Sequence, residues 1–225
     1  MKSRRPVLTR LFQFWGLMLA LTWSFSAMAI EEPPYEVVWS DGPFEVRRYP
    51  ALLVAETEVE GDMDQASNQG FRRIADFIFG NNQLTDSGPA ERIAMTAPAT
   101  VEPRSSRIAM TAPVTVEPTQ AFDMRQAKRW RIHFVMPGNY TMDTIPKPRH
   151  EAVKLREIAP KYMVVHRYSW LNTAARVQQK TDEALAWAQQ RSLKVIGAPQ
   201  LARYDPPLKP PMFRRNEIHL EIEKP

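Results

Sequence analysis

The chain has no cysteine among its 225 residues, which excludes disulfides, thiolate metal sites and a cysteine nucleophile. Glycine is scarce, at eight, and no GxGxxG, P-loop or GxSxG pattern occurs, so nucleotide cradles and a nucleophile elbow have no support. The four histidines, at positions 133, 150, 166 and 219, stand too far apart for an HExxH helix or a structural zinc. No catalytic centre is expected. A large excess of charge is missing as well, because 30 basic residues face 25 acidic ones.

Four of those basic residues, Lys2, Arg4, Arg5 and Arg10, precede an apolar run from Leu11 to Phe25, and Ala27-Met28-Ala29 supplies a small-x-small cleavage pattern. Residues 1–29 therefore read as a signal peptide cut after Ala29, which puts the mature chain in the periplasm or outside the cell. Roughly 20 apolar residues are needed to span a bilayer, so this shorter run implies no stable membrane span after cleavage. Ser3-Arg4-Arg5-Pro6-Val7-Leu8 also fits twin-arginine export of a folded protein. Without the signal, 26 basic residues face 25 acidic ones. That balance, with no Lys/Arg stripe, leaves no footprint for nucleic acid. Residues 30–225 are long enough for one domain.

Strands are expected over residues 35–39, 44–49 and 51–60, the first two joined by the turn formers Ser40-Asp41-Gly42-Pro43. Asp62 is an N-cap for a helix to about Phe79, along which Met63, Gly70, Phe71, Ile74 and Ile78 form an apolar stripe. Trp130, Ile132, Phe134 and Met136 alternate with Arg131, His133 and Val135, the pattern of a half-buried strand. After a Pro-rich loop the order repeats: strands at 154–158 and 161–168, a helix from Asn172 to about Arg191 carrying Val177, Ala184, Leu185 and Ala188, and a final strand at 217–223. The fold class expected is α+β, a pseudo-twofold domain of two strand-strand-helix-strand halves, about 35–137 and 150–223, with both helices packed on the joined sheets.

One segment is written twice. Arg92-Ile-Ala-Met-Thr-Ala-Pro-Ala-Thr-Val-Glu-Pro103 returns as Arg107-Ile-Ala-Met-Thr-Ala-Pro-Val-Thr-Val-Glu-Pro118, and the copies differ only at Ala99 against Val114. Two units are too few for a solenoid, so this is a tandem duplication of one strand-forming segment. The half-domain has room for one, and residues 108–116 are expected in the sheet, with 82–104 as an insertion. This segment, followed by Trp130-Arg-Ile-His-Phe-Val-Met-Pro137, Ala202-Arg-Tyr-Asp-Pro-Pro207 and Phe213-Arg-Arg-Asn-Glu217, resembles the SOUL heme-binding protein family.

The resemblance implies a distorted antiparallel β-barrel with flanking helices and a heme or other tetrapyrrole held on the apolar face of the first helix. On this chain that face offers Phe71, Ile74, Ala75 and Ile78, and the loop Asp205-Pro-Pro-Leu-Lys-Pro210 offers Lys209 for the propionates. Arg48 stands where some family members carry a histidine. His166 shares a strand face with Tyr162, Val164 and Tyr168, so it is the histidine chosen as axial iron ligand; His133 and His219 lie among charged neighbours and His150 in a charged loop, where all three should be solvated. A non-catalytic carrier or sequestering protein for heme follows. The alternatives are a binding module for another small apolar or aromatic ligand, and an envelope protein-interaction domain displaying Pro206-Pro207 and Pro210-Pro211, its protein partner unknown.

Overall fold

The sheet is set by two very short chain connections. Strands β2 (Phe44–Tyr49) and β3 (Leu52–Glu60) are separated by Pro50 and Ala51, and β8 (Lys154–Ile158) and β9 (Lys161–Tyr168) by Ala159 and Pro160. In the computed structural model, which describes residues 31–83, 107–119, 124 and 126–225, nine strands form one sheet in the order β1-β2-β9-β11-β10-β5-β6-β3-β8. The remaining members are β1 (Glu36–Asp41), β5 (Val114–Pro118), β6 (Arg129–Val135), β10 (Gln200–Arg203) and β11 (Asn216–Ile222), and every pair is antiparallel. A two-stranded ladder of β4 (Asn82–Gln83) and β7 (Lys147–Pro148) stands apart.

Each short connection joins strands six places apart in that order. Six strand spacings in a flat sheet come to about 29 Å. Three Cα steps reach at most about 11 Å. The sheet must therefore curl, and it does: Met163 in the third strand and Ile158 in the ninth line the same cavity. Its two ends, β1 and β8, are not paired with one another, so among the described residues no ring closes. Exchanging β2, β3, β5 and β6 with β8, β9, β10 and β11 reverses the strand order, a property of the pairing itself.

Both helices cover the convex face. Helix α1 (Met63–Ile78) is capped by Asp62, whose carboxylate accepts from Gln65 N at 2.8 Å, and Gly80, at φ +126°, follows its C-cap Phe79. Its buried side chains Met63, Ala66, Ile74, Phe77 and Ile78 pack over β6, β3 and β5. Helix α2 (Ala174–Gln190), capped by Thr173, lays Val177, Thr181, Ala184 and Ala188 on β9 and β11. Cross-strand neighbours Ile218, Leu201, Val116 and Ile132 give these helices one apolar floor. Residues 31–225 form one compact unit.

Several expectations are corrected here. β10 is an added strand, so each half contributes two strands after its helix; at four residues, with no alternation in Gln200-Leu-Ala-Arg203, it gave no periodic signal. The second copy of the duplicated segment does enter the sheet, but through Val114–Pro118, and Ile108 is instead buried with its N–H on Ile78 O at 2.9 Å. Of the insertion expected at 82–104, Asn82 and Gln83 form β4 and residues 84–104 lie outside the described residues. β6 is buried on both faces, because the curl encloses His133 and Val135.

Gly70 marks a close approach of α1 to the sheet: a Cβ there would lie 2.7 Å from Cβ and Cγ1 of Ile132. Gly70→Ala is expected to destabilise the fold by about 1–3 kcal/mol despite its better helix propensity, because the clash is with the root of a β-branched side chain. Urea unfolding of the two proteins measures this, and an unchanged or higher midpoint would refute it.

Candidate functional site

The concave face carries charge that the sequence suggested was solvated. Glu217 on β11 is 0% exposed, and its carboxylate accepts from five donors. Arg47 on β2 grips it with both Nη atoms, at 2.8 and 3.1 Å; Arg215 Nε lies at 2.9 Å, Tyr204 OH at 2.7 Å and His219 Nε2 at 2.9 Å. Burial alone would raise the Glu217 pKa, but His219 and Arg47 outweigh it and hold the carboxyl well below the usual range. The same carboxylate keeps Arg47 charged against its own burial. Tyr35 stacks on the Arg47 guanidinium at 4.2 Å and Tyr204 on that of Arg215 at 3.8 Å. This cluster ties β2 and β11 to the segment just after β10, under the cavity.

The cavity itself is small, about 40 Å³, and is lined by Tyr49, Met163, His133, His219, Gln200 and Tyr204 among others. It opens beside a polar groove of about 440 Å³ bordered by Glu117, Arg131, Arg156, Lys161 and Glu221. Those charges are already matched, with Arg131 on Glu117 and Glu58, Arg156 on Glu56, and Lys161 on Glu221. His133 lines both spaces, and its buried Nδ1 has no hydrogen-bond partner. Burial, helped by Lys161, Arg156 and Arg131, pushes its pKa down to about 3. His133 and His219 are thus buried neutral groups or carboxylate partners, against the expectation of solvation; only His150 is exposed as expected.

On the convex side, Ile74, Ala75 and Ile78 are buried, the first and last in the main core cluster between α1 and the sheet. Phe71 differs. It is 38% exposed, on the flank of α1 beside Phe134, whose ring centroid is 5.6 Å away. Phe79, 56% exposed, continues that flank, so Phe71, Ala75 and Phe79 follow the i, i+4, i+8 spacing of one helix side. Phe79 was missed from the sequence although that spacing was there to be read. Arg72 is exposed next to Phe71, with no carboxylate partner among the described residues.

Lys209 is spent on Asp205, Nζ to Oδ1 at 2.6 Å, in the loop after β10. The strand leading to that loop is tied to α1 by Arg203, which donates to Ser67 Oγ at 3.0 Å and Asp64 at 3.1 Å. His166 lies elsewhere, beneath α2. Its Nδ1 is 3.1 Å from the Lys180 carbonyl and so carries the proton, while Phe44 stacks on the ring at 4.3 Å and Trp187 stacks on Phe44. Burial lowers its pKa. The sequence-chosen residues are therefore not gathered at one point: Phe71 and Ala75 share a helix flank, Ile74 and Ile78 face the core, and His166 belongs to the other half.

A curled antiparallel sheet backed by two helices on one face, with a small cavity and a polar groove on the other, defines the class of this molecule as an α+β fold. The chain belongs to the SOUL heme-binding protein family, whose model matches residues 30–221. A search of curated proteins finds no match. Among solved structures, the C-terminal domain of EcmrR is similar with a TM-score of 0.55, covering 85% of this chain and 99% of its own at 10% identity. A hydrolase from Listeria innocua (TM-score 0.50, 13% identity, 80% and 91% covered) and an uncharacterized conserved protein from the same species (0.50, 15%, 79% and 92%) are similar too. At such identities the likeness is one of fold.

A buried neutral histidine makes stability depend on acid. The folded His133 sits at about 3 against an ordinary 6.5, so the unfolded chain binds the proton first as pH falls. Stability is full above 6.5 and declines below it, by about 2 kcal/mol at about pH 5 from His133 alone. Chemical denaturation at neutral and mildly acidic pH should show this decline, reduced by about that amount in His133→Gln; an equal decline in both proteins would contradict the assignment.

Proposed function

We propose that residues 30–225, exported after removal of residues 1–29, bind heme or a related tetrapyrrole and sequester or carry it, without catalysis and without nucleic acid. Membership of the SOUL family supports the ligand class. The observation that carries the reading is the pair of exposed rings Phe71 and Phe79 on one flank of α1, either side of the buried Ala75, with Arg72 beside them and without a carboxylate partner among the described residues. A porphyrin is a flat apolar surface edged by two carboxylates, and covering such a flank is worth roughly 25 cal/mol per Å² removed from water while an arginine takes a propionate. Lys209 would serve a second carboxylate by exchanging Asp205 for it. The residues present thus fit the ring and its propionates. When bound, heme supplies an iron whose chemistry its axial ligands tune. His166 is the candidate for that role, and reaching iron would require α2 to lift from β9, since Lys180 and Phe44 now hold its ring. The curled sheet and its exchangeable strand order support reading the fold as the family's distorted barrel of two related halves.

The full chain titrated with ferric heme and with metal-free protoporphyrin should saturate at one equivalent of each, with similar affinities. Phe71→Asp and Arg72→Glu should each weaken both by about tenfold, the loss expected when an apolar contact or a charge-assisted bond goes. Unsaturable binding, or variants indistinguishable from the parent, would remove the flank from consideration. A preference for heme that disappears in His166→Ala would instead establish that histidine as the iron ligand.

A second reading, a binding module for another small apolar or aromatic ligand, is favoured by one observation. The unpartnered Nδ1 of His133 borders a cavity lined by Tyr49, Tyr204 and Met163. A buried polar atom without a partner is the place where a ligand hydrogen bond would gain most.

A further inference from the structure

The loop end of the molecule combines exposed apolar side chains with arginines held at their rim. Leu208 is 95% exposed and Phe213 69%, with Met212, Trp170 and Leu171 exposed close by. These are one surface: Trp170 N donates to Pro211 O at 2.9 Å, and Asn216 Nδ2 donates to Trp170 O at 2.9 Å, tying the turn after β9 to the segment that holds Leu208, Met212 and Phe213. Five large apolar side chains offered together to water exceed the scattered exposure normal on a soluble surface.

The charge around them is partly compensated: Lys180 pairs with Glu183, Lys209 with Asp205, and Arg215 with Glu217 and Glu32, which leaves Arg176 and Arg214 as the rim cations without a carboxylate among the described residues. Residues 167–181 and 206–216, the two stretches that build this end, contain Arg167, Arg176, Lys180, Lys209, Arg214 and Arg215 and no aspartate or glutamate. Two of these arginines are held on backbone carbonyls in the patch itself. Arg176 Nη1 donates to Leu171 O at 3.3 Å, and Arg214 donates to Lys209 O at 2.7 Å and to Pro207 O. Neither has a carboxylate partner among the described residues. The guanidinium groups are thereby fixed at the rim with their charge uncompensated.

We propose that this end docks on the surface of an anionic phospholipid bilayer. Leu208, Phe213, Met212 and Trp170 enter the headgroup and upper acyl region, where an indole and a phenyl ring are well accommodated, while Arg176 and Arg214 meet lipid phosphates. A protein partner of opposite charge would have to supply a concave apolar seat with acidic edges; a bilayer supplies an apolar layer beneath a layer of phosphate without any such shaping. The loop carries this out with rigid geometry, because Pro206, Pro207, Pro210 and Pro211 limit its backbone freedom.

Co-sedimentation of the full chain with phosphatidylcholine vesicles, with and without phosphatidylglycerol, tests this. All variants keep the apolar run Leu11–Phe25, so differences between them report on the loop end. The double variant Leu208→Asp/Phe213→Asp should lower partitioning to anionic vesicles by about tenfold, and Arg176→Gln/Arg214→Gln should remove most of the preference for phosphatidylglycerol and its salt sensitivity. Ile196→Asp, which changes an exposed apolar residue between α2 and β10, should do neither. Equal sedimentation of parent and loop variants would overturn the proposal. So would a vesicle-free dimer that the double variant dissociates, which would make the patch a contact between two copies. An unchanged porphyrin titration in the loop variants keeps the result independent of the tetrapyrrole reading, and a porphyrin loss with vesicle binding intact would assign the patch to the ligand and refute docking.

Discussion

Two proline-bearing corners govern this molecule. Because Pro50-Ala51 and Ala159-Pro160 must each carry the chain between strands six places apart, a flat sheet is unavailable to the sequence, and the helix-free face is folded inward. Proline suits both corners, since a residue leaving one ladder for another has no partner for its N–H. The curl then decides the chemistry of the interior. Side chains that would project into water from an open sheet are enclosed, so charged ones survive only in compensated groups, and Glu217 with its five donors is the largest such group.

That dependence explains what could and could not be read in the sequence. β2, β8 and β9 have the bounds their turn residues and alternation announce, and α1 begins and ends at the caps Asp62 and Phe79. These signals are local. The pairing of Arg47 with Glu217 spans 170 positions, and nothing near either residue distinguishes it from a solvated charge. The same holds for the candidate site. Phe71 was recognisable as an apolar helical residue, but whether such a residue faces the sheet or the solvent depends on which flank α1 presents, and that is fixed by Gly70 seating on Ile132. The aromatic company of His166 was legible; the Lys180 carbonyl that satisfies it is backbone and leaves no mark in the sequence.

Functionally, the architecture separates its surfaces. The convex side gives a helix flank, the concave side a small cavity over a rigid ionic cluster, and the loops after β9 and β10 give an apolar end with arginine rims. The exposed apolar side chains of the three differ, while Arg215 links the ionic cluster to the loop end. SOUL family membership speaks to the ligand class, while the surfaces decide where such a ligand can sit.

The single difference between the two copies of the duplicated segment falls at Val114, the first residue of β5, opposite Phe134 of β6 and Arg203 of β10. Were the first copy to take that place, Ala99 would stand there, two methyl groups short on a half-buried strand position. The loss of about 1 kcal/mol corresponds to a population ratio of roughly fivefold between the two arrangements. A duplication inside a gene ordinarily leaves a protein with two equivalent answers to one structural question, and here a side chain of three carbons is enough to rank them.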